Sequence, residues 1–408
     1  MEYGLLGRTL GHSFSPQIHA MLGEYPYSLF PREPEEVADL LHDPAIGGLN
    51  VTIPYKRTVL DHLDHIDSLA QRLGSVNTIV REQDGKLHGY NTDYHGFMST
   101  LCRSGICVGG KKALVLGTGG ASAPVSAVLE DLGAQVVMVS RTGENNYQNL
   151  FLHRDAAVIV NATPVGMYPN TGTAPVDIRQ FPALEGVFDL IYNPSKTKLL
   201  LDCQSAGIPG YNGLWMLVAQ AKKSSEYFTG RSIPDDLVEA IYRKLRSQTR
   251  NIVLIGMPGC GKSTIGQLVA QKIGKKFVDC DQVLAQQAGR TIPDLLESEG
   301  EDAFRKMETE VLADLGRESG LVIATGGGCV TQPRNLPLLR QNGRIFWIQR
   351  DVNALPTEGR PLSMRSTPAA LYAQRLPMYR AFADCIISND GACQDAAQAI
   401  IAQWEEES

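Results

Sequence analysis

The octapeptide Gly256-Met257-Pro258-Gly259-Cys260-Gly261-Lys262-Ser263 satisfies the pattern GxxxxGK[ST] at every position. Its chemistry is the holding of phosphate. Gly256, Gly259 and Gly261 let the backbone curl so that amides, that of Cys260 among them, face phosphate oxygens. Lys262 neutralises the β/γ charge. Ser263, followed by Thr264, sits where a hydroxyl reaches Mg²⁺. The expected ligand is a nucleoside triphosphate.

A second glycine loop, Gly117-Thr118-Gly119-Gly120-Ala121-Ser122, also follows an apolar strand and opens a helix. Such a loop lets a pyrophosphate rest on the amides of a helix N-terminus. The third glycine of GxGxxG falls on Ser122, so a tight structural turn stays open as a reading. The next strand, Gln135 to Val139, ends in Ser140-Arg141-Thr142. A carboxylate there would grip a ribose 2′-hydroxyl. An arginine between two hydroxyls favours a 2′-phosphate, and hence NADP over NAD.

Polar clusters interrupt residues 1–100: His12-Ser13-Phe14-Ser15-Pro16, Asn50-Val51-Thr52-Ile53-Pro54-Tyr55-Lys56, Ser75-Val76-Asn77-Thr78 and Asn91-Thr92-Asp93. Each ends an apolar segment, where loops carry function. Each also has a plainer reading. Ser15-Pro16 suits an N-cap with proline at N1, Asn77 and Asn91 suit turns, and Lys56 with Asp93 suits an exposed ion pair.

The elements that must carry these groups alternate between short apolar runs and helical patterns, the mark of α/β folds with parallel sheets. Nucleotide-binding sheets are expected to begin at Ala113 to Leu116 and at Ile252 to Ile255. Strands are expected at Gly4 to Leu6, Leu49 to Thr52, Val76 to Val80 and Leu87 to Tyr90, the last two joined by an Asp84-Gly85 turn. Leu237, Val238, Ile241 and Leu245 form a helical stripe. After it, residues 246–250 are polar and without a core pattern, and we place a linker there. A further division falls near 101–110.

The chain has 408 residues, 43% of them hydrophobic, enough for more than one core. Its net charge of −6 without a basic block gives a nucleic-acid partner little support, and no apolar run approaches a membrane span. Eight scattered cysteines without a CxxC pair point to free thiols in a reducing cytoplasm.

Together the clusters of residues 1–100 resemble one family, the shikimate dehydrogenases, with HSxSP, NVTxPYK, VNT and NTD in that order. The resemblance extends over roughly residues 3–245. It includes the dinucleotide loop, Asn161-Ala162-Thr163-Pro164-Val165-Gly166-Met167, Tyr192-Asn193-Pro194 and Gly213 to Gln220. Ser140 stands where the family usually has Asn. The resemblance implies reduction of 3-dehydroshikimate to shikimate by NADPH. Lys56 and Asp93 are then the acid–base pair at the carbonyl oxygen. Ser13 and Ser15 would hold the carboxylate, and Thr52, Asn77, Asn91 and Gln220 the ring hydroxyls. Gly117, Gly119, Gly120, Ala121, Ser140, Arg141, Thr142, Tyr192 and Gly213 would line the NADP site.

Roughly residues 250–400 resemble shikimate kinase. They carry the phosphate loop, Asp279 and Asp281, Arg305 with Glu308, Gly326-Gly327-Gly328, Arg360-Pro361-Leu362 and Arg375. Carried over, Asp279 joins Ser263 in the Mg²⁺ shell, and Asp281 orients or deprotonates the attacking hydroxyl. Arg305 and Arg375 clamp the carboxylate, and the glycines bring backbone close to the ring. Taken alone, Arg305 and Glu308 would read as a surface i,i+3 pair. Cys260, Cys280 and Trp347 read as packing residues. The segment from Arg350 to Gly359 is short for a lid, with Arg360 left as a phosphate contact.

The implied architecture is an α/β substrate domain (1–100, with helices of 210–245 returning to it), a Rossmann-like NADP domain (101–245), a linker (246–250) and a P-loop kinase domain with a parallel sheet (251–408). The function implied is a bifunctional enzyme of aromatic biosynthesis. The alternative is an active dehydrogenase fused to a kinase-like nucleotide-binding regulatory module.

Overall fold

The computed structural model describes residues 1–11, 13–355 and 367–406. His12 and Arg360 lie outside the described residues. The backbone forms two compact units. One consists of residues 1–165, 174–192 and 202–243, the other of 166–173, 193–201 and 244 onwards.

The first unit holds two sheets. Strands β1 (Glu2–Gly7), β2 (Tyr27–Pro31), β3 (Ile46–Val51), β4 (His65–Ile66), β5 (Thr78–Arg81) and β6 (Leu87–Tyr90) form one, in the order β2-β1-β3-β5-β6-β4. The expected hairpin is there. β5 and β6 pair antiparallel, with Gly85 at φ 86° and the Asp84 carboxylate accepting from Lys86 N. β2 and β4 were not anticipated. β2 is a half-exposed edge ending in Pro31, and β4 has two residues, so neither carries an apolar alternation long enough to read.

Strands β7 (Lys112–Leu116), β8 (Gln135–Val139), β9 (Val158–Asn161), β10 (Gly186–Asp189) and β11 (Gly210–Tyr211) form an all-parallel sheet in the order β11-β10-β9-β7-β8. Its β-branched and leucine runs are buried on both faces, Leu114, Val115 and Leu116 completely. The helix Leu214–Thr229 returns to the first sheet, where Phe228 packs over Gly48. A Cβ on that glycine would lie 2.7 Å from the ring.

In the second unit, β12 (Asn251–Ile255), β13 (Lys276–Asp279), β14 (Leu321–Ala324), β15 (Gly343–Gln349) and β16 (Cys385–Ser388) form a parallel sheet in the order β13-β14-β12-β15-β16. The phosphate loop leaves the carboxyl end of the central strand β12, the edge at which open parallel sheets bind ligands. Trp347 is 1% exposed and stacks on Tyr379, so it is core as expected. Cys260 and Cys280 are buried, and burial raises the Cys280 thiol well above its ordinary value. Residues 246–249 are the end of the helix Asp235–Thr249, and β12 starts at Asn251. Among the described residues no helix is long and apolar enough to cross a membrane.

Candidate active sites

In the first unit, Asp93 is the first residue of the helix Asp93–Ser104, where the helix N-terminus favours a carboxylate. Lys56 lies in the turn after β3, and its carbonyl accepts from Val76 N at 2.8 Å. The Lys56 ammonium and the Asp93 carboxylate are ion-paired, with 15% and 11% of their side chains exposed. The exposed pair that the sequence left open is therefore not what forms. Low exposure strengthens the interaction between the two groups.

Behind this pair lies a buried polar network. Asn77 Oδ1 accepts from Thr92 N at 2.6 Å. Gln220 Oε1 accepts from Thr92 Oγ1 at 3.2 Å, and Gln220 Nε2 donates to Leu217 O. Asn91 spends both hydrogens of its amide on Ser75, at 2.9 Å and 3.0 Å, so it pins β6 to the 75–77 segment. Ser13 Oγ donates to Ser15 Oγ at 3.1 Å at the start of the helix Ser15–Leu22. Thr52 is half-buried, and its N–H donates to Leu6 O.

The dinucleotide loop stands beside the same pair. A Cβ on Gly120 would come within 3.6 Å of Lys56 Cδ, and one on Gly119 would meet nothing within 4 Å, so backbone is open to a close-approaching ligand. Gly117 has φ 104°, and a Cβ there would lie 2.9 Å from Thr163. Ser122 explains the missing third glycine. It is buried, and its hydroxyl donates to Gly119 O at 2.6 Å, which closes the loop. Ala121 is the N-cap residue of the helix Ser122–Asp131. At the end of β8, Ser140 Oγ accepts from Gly143 N at 2.7 Å, and Arg141 and Thr142 are exposed. Gly213 is required sterically, because its Cβ would fall 2.0 Å from Leu190 O. The ring of Tyr192 lies 5.8 Å from that of Phe14.

In the second unit, the phosphate loop, Asp279, Asp281, Arg305, the three glycines and Arg375 line one cavity of ≈ 550 Å³. Gly256, Gly259 and Gly261 have φ of 147°, 80° and 98°, a backbone that L side chains resist. Lys262 donates to Gly256 O and Met257 O, each at 3.0 Å. Ser263 Oγ donates to Asp279 Oδ2 at 2.6 Å, and Thr264 is exposed beside it. Asp279 also caps the helix Cys280–Ala288. Burial and the neighbouring Asp279 push the Asp281 carboxyl above the ordinary aspartate value.

The glycines at 326–328 are there for space, since none has positive φ. A Cβ on Gly326 would fall 2.4 Å from Glu308 Oε1, one on Gly327 2.6 Å from Pro258, and one on Gly328 2.1 Å from Arg305 Nη2. Arg305 and Glu308 are 5% and 1% exposed and bonded at 2.8 Å, a buried pair rather than the surface pair their spacing alone suggests. They belong to the helix Ile292–Arg317, which breaks at Gly300 (φ 83°) and so starts a fresh turn before Arg305. Arg375 Nη1 and Tyr379 Oη both donate to Gly327 O. The sequence did not single out Glu308 as a site residue, nor Thr92 and Ser224. Glu308 carried the signal of its i,i+3 spacing to Arg305. Thr92 carried only its place in the 91–93 cluster, and Ser224 carried no signal.

A shikimate dehydrogenase (NADP(+)) of Clostridium perfringens is 36% identical over 266 residues, which is 60% of this chain and 98% of the relative. The chain belongs to the shikimate dehydrogenase family. Residues 5–79 match the model of the shikimate dehydrogenase substrate binding domain, and residues 258–405 match that of shikimate kinase. Shikimate dehydrogenase 1 from Peptoclostridium difficile superposes with a TM-score of 0.56 at 38% identity, covering 60% of this chain and 97% of that one. A Thermus thermophilus shikimate 5-dehydrogenase solved with NADP(H) and shikimate gives 0.55 at 31% identity, over 60% and 99%. The chain thus joins a shikimate dehydrogenase to a shikimate kinase domain, on mixed α/β and parallel-sheet folds.

Proposed function

We propose that the dehydrogenase unit reduces 3-dehydroshikimate to shikimate with NADPH, and that the kinase unit phosphorylates shikimate to shikimate 3-phosphate with ATP. The observation that carries the first step is the shielded Lys56–Asp93 pair beside the backbone of Gly120. NADPH supplies the hydride to the carbonyl carbon. Lys56 gives a proton to the oxygen as negative charge develops there, and Asp93 holds the ammonium in place. Ser13 and Ser15 anchor the carboxylate, with Thr52, Asn77 and Gln220 on the ring hydroxyls. Arg141 and Thr142 receive the 2′-phosphate, so NADPH is preferred.

In the kinase unit, Asp281 takes the proton of the attacking hydroxyl, and Arg305 and Arg375 hold the carboxylate. Lys262 neutralises charge on the transferring group, which ATP supplies. The oxygen donors of Ser263 and Asp279, already in contact, fit Mg²⁺, which takes few protein ligands beside phosphate. Eight free thiols suit a reducing, cytoplasmic setting.

A coupled assay with 3-dehydroshikimate, NADPH and ATP tests both steps. NADPH consumption, shikimate, ADP and shikimate 3-phosphate are expected in turn. Absence of shikimate-dependent ADP release would leave the kinase-like unit as a nucleotide-binding module only.

A further inference from the structure

Amide side chains bind a hydroxyl in two opposite ways, and which way is set by what holds their other end. In this protein that end can be followed atom by atom. Tyr27 Oη donates to Asn50 Oδ1 at 2.8 Å, so Asn50 turns its two N–H groups inward. They reach Ser224 Oγ at 2.7 Å and Thr78 Oγ1 at 3.2 Å. Ser224 gives its one proton to Gln220 O at 3.0 Å, and it accepts from Thr78 at 2.9 Å. Ser224, Thr78 and Thr92 are all 0% exposed.

Thr78 can give its proton to Ser224 or, at 3.3 Å, to Asn77 Oδ1, so among the described residues Thr92 is the hydroxyl that reaches Gln220 Oε1. Two carbonyl oxygens lie 3.2 Å from Thr92 Oγ1, Asn77 Oδ1 and Gln220 Oε1, and neither can donate, while the hydroxyl oxygens of Ser224 and Thr78 lie at 3.1 Å and 3.2 Å. The Thr92 N–H also points at Asn77 Oδ1. Both amide oxygens are thereby drawn into the buried network. Asn77 Nδ2 meets no protein acceptor among the described residues and is not sealed off. Gln220 Nε2 spends one hydrogen on Leu217 O and keeps one. Asn77 follows Val76, whose N–H is bonded to Lys56 O, and Thr92 precedes Asp93, so both amides border the acid–base pair.

We propose that Thr92 is a positioning residue that fixes the polarity of the dehydrogenase pocket, so that Asn77 and Gln220 present N–H donors and select a substrate whose ring hydroxyls offer lone pairs. This rests on the dehydrogenase reading above. It assigns Thr92 no contact with substrate. Removing its hydroxyl leaves the Gln220 oxygen without a donor and lets the amide turn over, which presents an acceptor where the ring needs a donor. A pocket built to bond a hydroxyl rejects analogues lacking it far more strongly than an apolar pocket does. The mark of this role is therefore discrimination and not rate alone.

The test uses the full-length chain and the reverse reaction, oxidation of shikimate by NADP, with the monodeoxy analogues of shikimate as probes. For the wild type, at least one analogue is expected to lose about 100-fold in kcat/KM. In Thr92→Val, KM for shikimate should rise about tenfold or more and that penalty should shrink to below about tenfold, with KM for NADP within about twofold. Thr92→Ser should restore both. Ser224→Ala removes as many hydrogen bonds but leaves the Thr92 proton in place, so it should keep the wild-type penalty. If Thr92→Val does not fold, Thr92→Cys, a weak donor of similar size, should give an intermediate penalty. An unchanged penalty in Thr92→Val or Thr92→Cys, or equal loss of discrimination in Ser224→Ala, overturns the proposal while the dehydrogenase reading stands. A wild-type chain that does not oxidise shikimate overturns that reading and the proposal with it.

Discussion

The guanidinium of Arg305 fills the space that a side chain at position 328 would need, since a Cβ on Gly328 would lie 2.1 Å from Nη2. Arg305 cannot simply swing aside, because it is buried and bonded to Glu308 at 2.8 Å and to Glu301 at 3.3 Å. Gly328→Ala should therefore raise KM for shikimate in the kinase reaction by about tenfold or more, equivalent to about 1.4 kcal/mol. Initial-rate kinetics with each substrate varied should show KM for ATP changing much less.

Lys56→Ala should lower kcat of the dehydrogenase by about 10²- to 10⁴-fold, the usual worth of a positioned acid. The NADP loop does not depend on the ammonium, so the dissociation constant for NADP, read by fluorescence titration, should stay nearly constant. Near-normal turnover would remove Lys56 from the proton transfer.

In the function proposed above, cofactor choice rests on the exposed end of β8. Arg141→Ala should raise KM for NADPH about tenfold and leave that for NADH nearly unchanged, because only the former carries the 2′-phosphate. Equal effects on the two would make Arg141 a solvated surface residue.

The proposed Mg²⁺ site predicts a metal dependence confined to the kinase unit. Ser263→Ala and Asp279→Asn should each raise the Mg²⁺ concentration needed for half-maximal kinase activity, with dehydrogenase activity unchanged in the same sample. A kinase indifferent to both substitutions would move the metal site elsewhere.

Acid sensitivity is expected from His19, which is 1% exposed, stacks on Tyr27 and bonds Tyr25 Oη at 2.7 Å. Burial pushes its imidazole down to about 3, against an ordinary value of 6.5. The folded state keeps it neutral while the unfolded chain binds the proton. Stability is thus full above pH 6.5 and falls as pH drops toward 3, by about 2 kcal/mol at pH 5. Side-chain NMR should show no titration of His19 above pH 5. A midpoint near 6.5 would contradict its burial.

The local elements were legible in sequence because they are set locally. The apolar runs before both glycine loops, the Asp84-Gly85 turn and the stripe through Val238, Ile241 and Leu245 follow from backbone conformation and periodicity alone. The edge strand Tyr27–Pro31 was not, because its pairing with β1 owes little to its own residues.

Which chemical groups this protein owns, and in what order, is read directly from its residues, and so is the expectation that phosphate is held at Gly256 to Ser263. Which of them are shielded, and which way they face, follows from the folded packing alone. Arg305 and Glu308 are three residues apart in either case, yet packing under the glycines of 326–328 turned a surface pair into a buried one. Lys56 and Asp93 meet across 37 residues with little water around them. Asn91 is held to the backbone at Ser75, while Thr92, given no role of its own by the 91–93 motif, governs two neighbouring amides. Spacing along a chain encodes the strand or helix a residue belongs to. Exposure and hydrogen-bond direction depend on what folds over it from elsewhere, and no local pattern carries that.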